Sequence, residues 1–317
     1  LIVRWGLDEL PPLLSELGVE RPFLVASARW DQLELPHSSR WSEIPSDRIE
    51  APADADAILA VGGGSAIDTA KAASSKSGLP VISVPTTYSG AEWSPTYGVR
   101  TPEKRMVGRG GGAHLAAIVY EPRLTLGLDR KTTVGTSLNA LAHTAEALYA
   151  SGHNPAGDRH ALQGAQLIAE WLPQVVERPD DLEARRLLLE GAMHAGAALG
   201  SAGLALGHAM AQAVGGAYGL PHGTLNAIAL PAALRFNALL VPEAVRRFGE
   251  AIGAPDDPAG AVEELARLGG VRRLRELDVP ETDLPQLAAA TAARAGNKAN
   301  PRPATPDEIE ELLSSIW

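Results

Sequence analysis

The stretch Ala57-Ile58-Leu59-Ala60-Val61 followed by Gly62-Gly63-Gly64-Ser65 joins an apolar β-forming run to a glycine turn and a helix start. Five consecutive apolar residues suit a strand covered on both faces, as in a parallel sheet. The helix after the turn, Ser65 to Ser75, carries Ala66, Ile67, Ala70 and Ala73 toward that sheet. Successive glycines allow positive φ and close backbone approach, and the free N–H groups and dipole of a helix start favour an anion. A phosphate is the natural occupant. A tight connection with no ligand satisfies the same residues, and the run is not the GxGxxG fingerprint.

Working outward, Pro22 to Ser27, Pro80 to Val84 and Ala117 to Tyr120 read as further strands. The run Pro80 to Val84 leads into Pro85-Thr86-Thr87-Tyr88-Ser89-Gly90-Ala91-Glu92. Ligands of parallel sheets bind outside the carboxyl ends of the strands, so a hydroxyl-bearing loop there reinforces the glycine turn, although turn capping would use the same threonines. Between Ser27 and Asp56 lie about thirty residues rich in Ser, Pro and Trp, a loop unusually long for a compact domain. From about Asp129 the texture changes to Ala- and Leu-rich segments of helical spacing: Thr136 to Ala150, His160 to Val176, Leu182 to Leu199 and Ala202 to Ala217. The stretch Ala251 to Gly260 reads as a loop. Two domains are expected, an α/β dinucleotide-binding domain over 1–127 and a helical catalytic domain over 128–317.

The chain of 317 residues has a formal net charge of −10 and no cysteine. The charge argues against a nucleic-acid partner, and the lack of thiols removes disulfides, thiolate metal sites and cysteine nucleophiles. No apolar run approaches a membrane span, and no signal-peptide pattern precedes the first strand, so a cytoplasmic location is expected. Histidines and carboxylates are left to carry chemistry. Asn139 and His143 lie four apart on one helix face, His208 falls in a later helix, and His222 follows Leu220-Pro221. Three converging histidines suit a divalent metal or acid–base work, while each alone reads equally as a packing or capping residue.

The segments GGGSAIDTAK (62–71), PTTYSGAE (85–92), SLNALAHTAEALYA (137–150) and GHAMAQAVGGAYGLPHGTLNAIALP (207–231) resemble the iron-containing alcohol dehydrogenase superfamily. Within it, PTTYSGAEWSPTYGV (85–99), IVYEPRLTLGL (118–128), Asn139 in place of an acid and NPRPATPDEIEELL (300–313) are most similar to maleylacetate reductases. The resemblance implies a dehydroquinate-synthase-like fold, with catalysis in an interdomain cleft. It implies that Gly62, Gly63, Gly64 and Ser65 hold the pyrophosphate of NAD(P)H, with Asp68, Thr86, Thr87 and Ser89 nearby. It implies that Asn139, His143, His208 and His222 form the catalytic set, with the three histidines as ligands wherever a metal binds. A neutral amide at Asn139 lowers the affinity expected for a dication. His208 or His222 is then the expected proton donor.

Gly207, Ala209 and Gln212 stand where the resemblance leads one to expect further His and Lys, and none of them can act as a general acid. Lys104, Arg105 and Arg109 are candidates to neutralise an acidic substrate. The leading expectation is an NAD(P)H-dependent reductase of a small carboxylated or carbonyl substrate, working as a homodimer. A non-redox lyase or cyclase on the same scaffold and a catalytically silent binding partner are the alternatives.

Overall fold

The computed structural model describes residues 1–103, 105–270 and 272–317. Contacts divide the chain into two compact units, one of Leu1–Thr87 with Ala91–Gly127 and one of Tyr88–Gly90 with Leu128–Trp317.

The first unit holds strands β1 (Ile2–Trp5), β2 (Pro22–Ala26), β3 (Ser39–Trp41), β4 (Ala57–Gly62), β5 (Pro80–Pro85), β6 (Tyr97–Arg100), β7 (Met106–Gly110) and β8 (His114–Tyr120). Its helices are α1 (Leu10–Glu16) and α2 (Gly64–Ser77). Six strands form a sheet in the order β1-β8-β5-β4-β2-β3, every pair parallel. β4 is central and buried along its whole length, as its unbroken apolar run requires. One face of the sheet packs Leu24, Leu59, Ile82 and Val119 against Leu10, Leu13 and Leu14. The other packs Phe23, Val25, Ile58 and Ala60 against Ile67, Ala70 and Ala73 of α2.

The long Ser27 to Asp56 segment is not structureless. Its Ser39–Trp41 strand pairs with β2 at the sheet edge, where half-buried Ser, Arg and Trp are tolerated. β6 and β7 form a separate antiparallel hairpin.

The second unit is helical: α3 (Arg130–Ala147), α4 (Pro155–Glu177), α5 (Leu182–Ala202), α6 (Leu206–Tyr218), α7 (His222–Ala238), α8 (Pro242–Ala251), α9 (Pro258–Arg267), α10 (Leu284–Ala292), α11 (Ala295–Ala299) and α12 (Pro306–Ser315). α3 is capped by Asp129, whose carboxylate accepts from the Thr132 N–H, and is buried almost all round from Thr133 onward. Several expected boundaries change, α3 beginning at Arg130 rather than Thr136 and α4 at Pro155 rather than His160. α6 starts at Leu206 because the chain breaks at Gly203, which ends α5. The loop expected over Ala251 to Gly260 narrows to 252–257, since Asp257 caps α9 and Pro258 occupies its first turn. Among the described residues no helix is long and apolar enough to cross a membrane.

Candidate functional site

In the first unit, β4 ends at Gly62 with φ +149°, and a Cβ there would stand 2.7 Å from the Cβ of Ala66. Only glycine lets the strand turn this tightly into α2. Gly63 is the N-cap of α2 and supplies no side-chain acceptor to the first turn. A Cβ on Gly63 would meet Thr87 Cγ2 at 2.9 Å. The Thr86 N–H donates to the Gly62 carbonyl at 3.0 Å, so the glycine turn and the Thr86-Thr87 loop form one surface at the ends of two adjacent strands. The start of α2 beside this surface has no side-chain cap, which leaves the first N–H groups of the helix as donors that suit a phosphate.

Asp68 lies one turn into α2. Its carboxylate accepts from the Gly98 N–H at 3.1 Å and pairs with Lys71 at 2.9 Å, tying α2 to the hairpin. Lys71 is fully buried, and its ammonium also donates to the carbonyls of Ala91, Ser94 and Thr96 at 2.8, 3.2 and 2.6 Å. Beside it Glu92 is buried and accepts from the Tyr120 hydroxyl at 2.8 Å, while that hydroxyl accepts from Trp93 Nε1. Burial pushes the Glu92 carboxyl above the usual carboxylate range, against hydrogen bonds and the Lys71 charge that pull the other way. Arg105 and Arg109 are exposed at the hairpin, and Lys104 lies outside the described residues.

In the second unit, Ser89 falls beside α3, with the histidines rather than the threonines. Its carbonyl accepts from Asn139 Nδ2 at 2.9 Å. The same amide nitrogen lies 3.0 Å from His143 Nε2, and Asn139 Oδ1 accepts from Asn226 Nδ2 at 2.6 Å. His143 Nε2 thus faces two groups, the Asn139 amide nitrogen at 3.0 Å, which donates, and the Ser89 carbonyl at 3.3 Å, which accepts. Burial, and then the neighbouring His208, hold His143 well below the usual histidine range, so it stays neutral.

The His208 ring stacks on His143 with centroids 4.5 Å apart and planes 12° apart, and the His222 ring lies 5.9 Å from His208. His222 opens α7, where a Cβ on Gly223 would stand 2.5 Å from the Gly135 carbonyl oxygen. That close backbone crossing of α3 and α7 brings His222 to the other rings. Gly207 and Ala209 are buried, and Gln212 is half-buried.

The sequence reading missed Glu146, whose buried carboxylate lies 2.8 Å from His208 Nδ1. A carboxylate three residues after a histidine on a helix reads as an ordinary surface charge until α6 is packed on it.

Among the described residues no three His, Asp or Glu side chains are placed to hold an ion, and the neutral amide of Asn139 would bring no charge to one. What the site offers is unmet hydrogen-bonding capacity. His143 Nδ1, His208 Nε2 and Asn226 Oδ1 are buried without a partner.

Residues 133–317 match the C-terminal model of the Fe-containing alcohol dehydrogenase family, and residues 48–119 match the iron-containing alcohol dehydrogenase model. Maleylacetate reductase from Burkholderia cepacia is 39% identical over 271 residues, covering 85% of this chain and 76% of that one. Maleylacetate reductase 1 from Rhodococcus opacus is 37% identical over 316 residues, covering 99% of this chain and 85% of that one. The crystal structure of maleylacetate reductase from Agrobacterium tumefaciens superposes with a TM-score of 0.88 at 27% identity, over 100% of this chain and 95% of that one.

Proposed function

The chain belongs to the iron-containing alcohol dehydrogenase family of oxidoreductases, and from that premise we propose that it is an NAD(P)H-dependent reductase of a small carboxylated or carbonyl substrate. Maleylacetate, in its relatives' names, is the first candidate. The observation that carries the reading is the start of α2 at the end of β4, whose glycine N-cap supplies no side-chain acceptor and which lies beside the Thr86-Thr87 loop. Gly62, Gly63, Gly64 and Ser65 would hold the pyrophosphate at the start of α2, with the hydroxyls of Thr86 and Thr87 beside them. Bound there, the cofactor supplies a hydride from its nicotinamide.

The protein's part is to place the substrate and deliver a proton. The neutral His143 cannot act as an imidazolium acid, but its buried Nδ1 has no protein partner and is open to a polar group of the substrate. The proton then comes from His222, because the carboxylate at His208 Nδ1 leaves the Nε2 of that ring a lone pair that accepts rather than donates. His208 Nε2 is the buried nitrogen without a partner, whereas Nδ1 is engaged by Glu146. Asn139 holds Ser89, His143 and Asn226 in one amide-centred network, a positioning role that needs no ion. Asp68 belongs to the scaffold of the cofactor unit rather than to direct phosphate contact, since a carboxylate repels the pyrophosphate.

Titration with NADH and with NADPH tests the reading. Saturable quenching of protein fluorescence by at least one is expected, and no binding at millimolar concentration would contradict it. In the same reading the protein is a cytoplasmic homodimer, and sedimentation at the mass of a single chain would overturn the dimer.

A further inference from the structure

Glu146 is fully buried on α3, three residues after His143, and its carboxylate accepts three N–H groups of the α6 start: Ala205 N at 2.7 Å, His208 N at 3.0 Å and His208 Nδ1 at 2.8 Å. Ala205 is the N-cap of α6 and has no side-chain acceptor, so the carboxylate from α3 satisfies the N–H groups that a capping side chain would take. Gly207 leaves it room, since a Cβ there would lie 3.0 Å from Glu146 Oε1. The backbone and ring of His208 are thereby held by the two oxygens of one carboxylate. We infer that Glu146 is the positioning residue that fixes His208 in its Nδ1–H form and presents Nε2 as the nitrogen open to substrate.

A carboxylate oxygen that accepts from Nδ1 puts the ring proton there, and Nε2 is left buried without a protein partner, against the His143 ring. Without the carboxylate nothing selects between the two ring nitrogens. The inference rests on the reading of His208 as a substrate-facing group, but its test does not depend on turnover.

The test is long-range proton–nitrogen NMR of the uniformly labelled protein and of Glu146→Gln, with the His208 signals assigned by their loss in His208→Asn. The wild type is expected to show the Nδ1–H form alone. Glu146→Gln is expected to retain its circular dichroism, to show His208 as a mixture of both forms, and to lose about 100-fold in kcat with cofactor KM unchanged. An Nε2–H form in the wild type would overturn the inference, and this measurement stands even if Glu146→Gln fails to fold. A folded Glu146→Gln with an unmixed Nδ1–H signal would overturn it equally. If the signals change as expected but no reductase activity exists in either protein, the positioning role stands and the proposed function falls.

Discussion

Replacing Gly63 with alanine separates cofactor binding from folding. Gly63 has φ −79° and ψ −171°, an extended conformation open to any residue, so alanine there adds no backbone strain. Its Cβ would instead stand 2.9 Å from Thr87 Cγ2 and 3.4 Å from Thr87 Oγ1, which forces the threonine to move. Moving one methyl at a half-exposed turn costs about 1 kcal/mol of stability. Displacing the hydroxyl from an anionic ligand costs about 1.5–3 kcal/mol of binding, a rise of roughly 10- to 150-fold in cofactor Kd. Thermal melting and fluorescence titration of the same preparation read the two effects. Thr87→Ser removes the clashing methyl and keeps the hydroxyl, so Gly63→Ala/Thr87→Ser is expected to regain most of the lost affinity. Unchanged binding by Gly63→Ala, or a serine double variant no better than the single one, would refute the assignment of this turn to the cofactor.

Three further outcomes follow from buried groups. Glu92 has a raised carboxyl, so between the ordinary carboxylate range and its folded value the native state holds more protons than the unfolded state. Its contribution is therefore present at low pH and lost as pH rises. Glu92→Gln keeps an acceptor for the Tyr120 hydroxyl, and urea unfolding at pH 5 and pH 8 is expected to show its stability gaining on the wild type as pH rises; a constant difference would contradict this. Lys71→Met leaves three backbone carbonyls and Asp68 without their ammonium, and a loss of about 3–5 kcal/mol in denaturant unfolding is expected. Gly223→Ala drives a methyl into the Gly135 carbonyl, so it is expected to lower both stability, by about 1–3 kcal/mol, and kcat, while cofactor Kd stays unchanged.

The parts of the fold visible in the sequence are those where one physical requirement dominates. Strands β4 and β5 sit inside the sheet, so Ala57 to Val61 and Pro80 to Val84 must be apolar throughout and announce themselves. β1, β3 and the β6/β7 hairpin escape such reading, because their residues are mostly half-buried and Arg4, Arg40, Gly98 and Gly108 break the pattern. The glycine turn and the histidines are legible as residue types, and the resemblance gives them roles. Their partners are not. Glu146 acquires its meaning only from α6, about sixty residues later, and Ser89 leaves the threonine loop for the histidines because Asn139 takes its carbonyl.

The central claim is reduction by hydride from a nicotinamide cofactor bound at the glycine turn. Incubation of the purified protein with maleylacetate and NADH or NADPH carrying deuterium at the transferable C4 position, followed by mass spectrometry of the product, tests it directly. One deuterium on carbon of a product that forms only with cofactor present is the predicted result. Substrate turnover that proceeds without added nicotinamide, or a product free of deuterium from either face of C4, would contradict it.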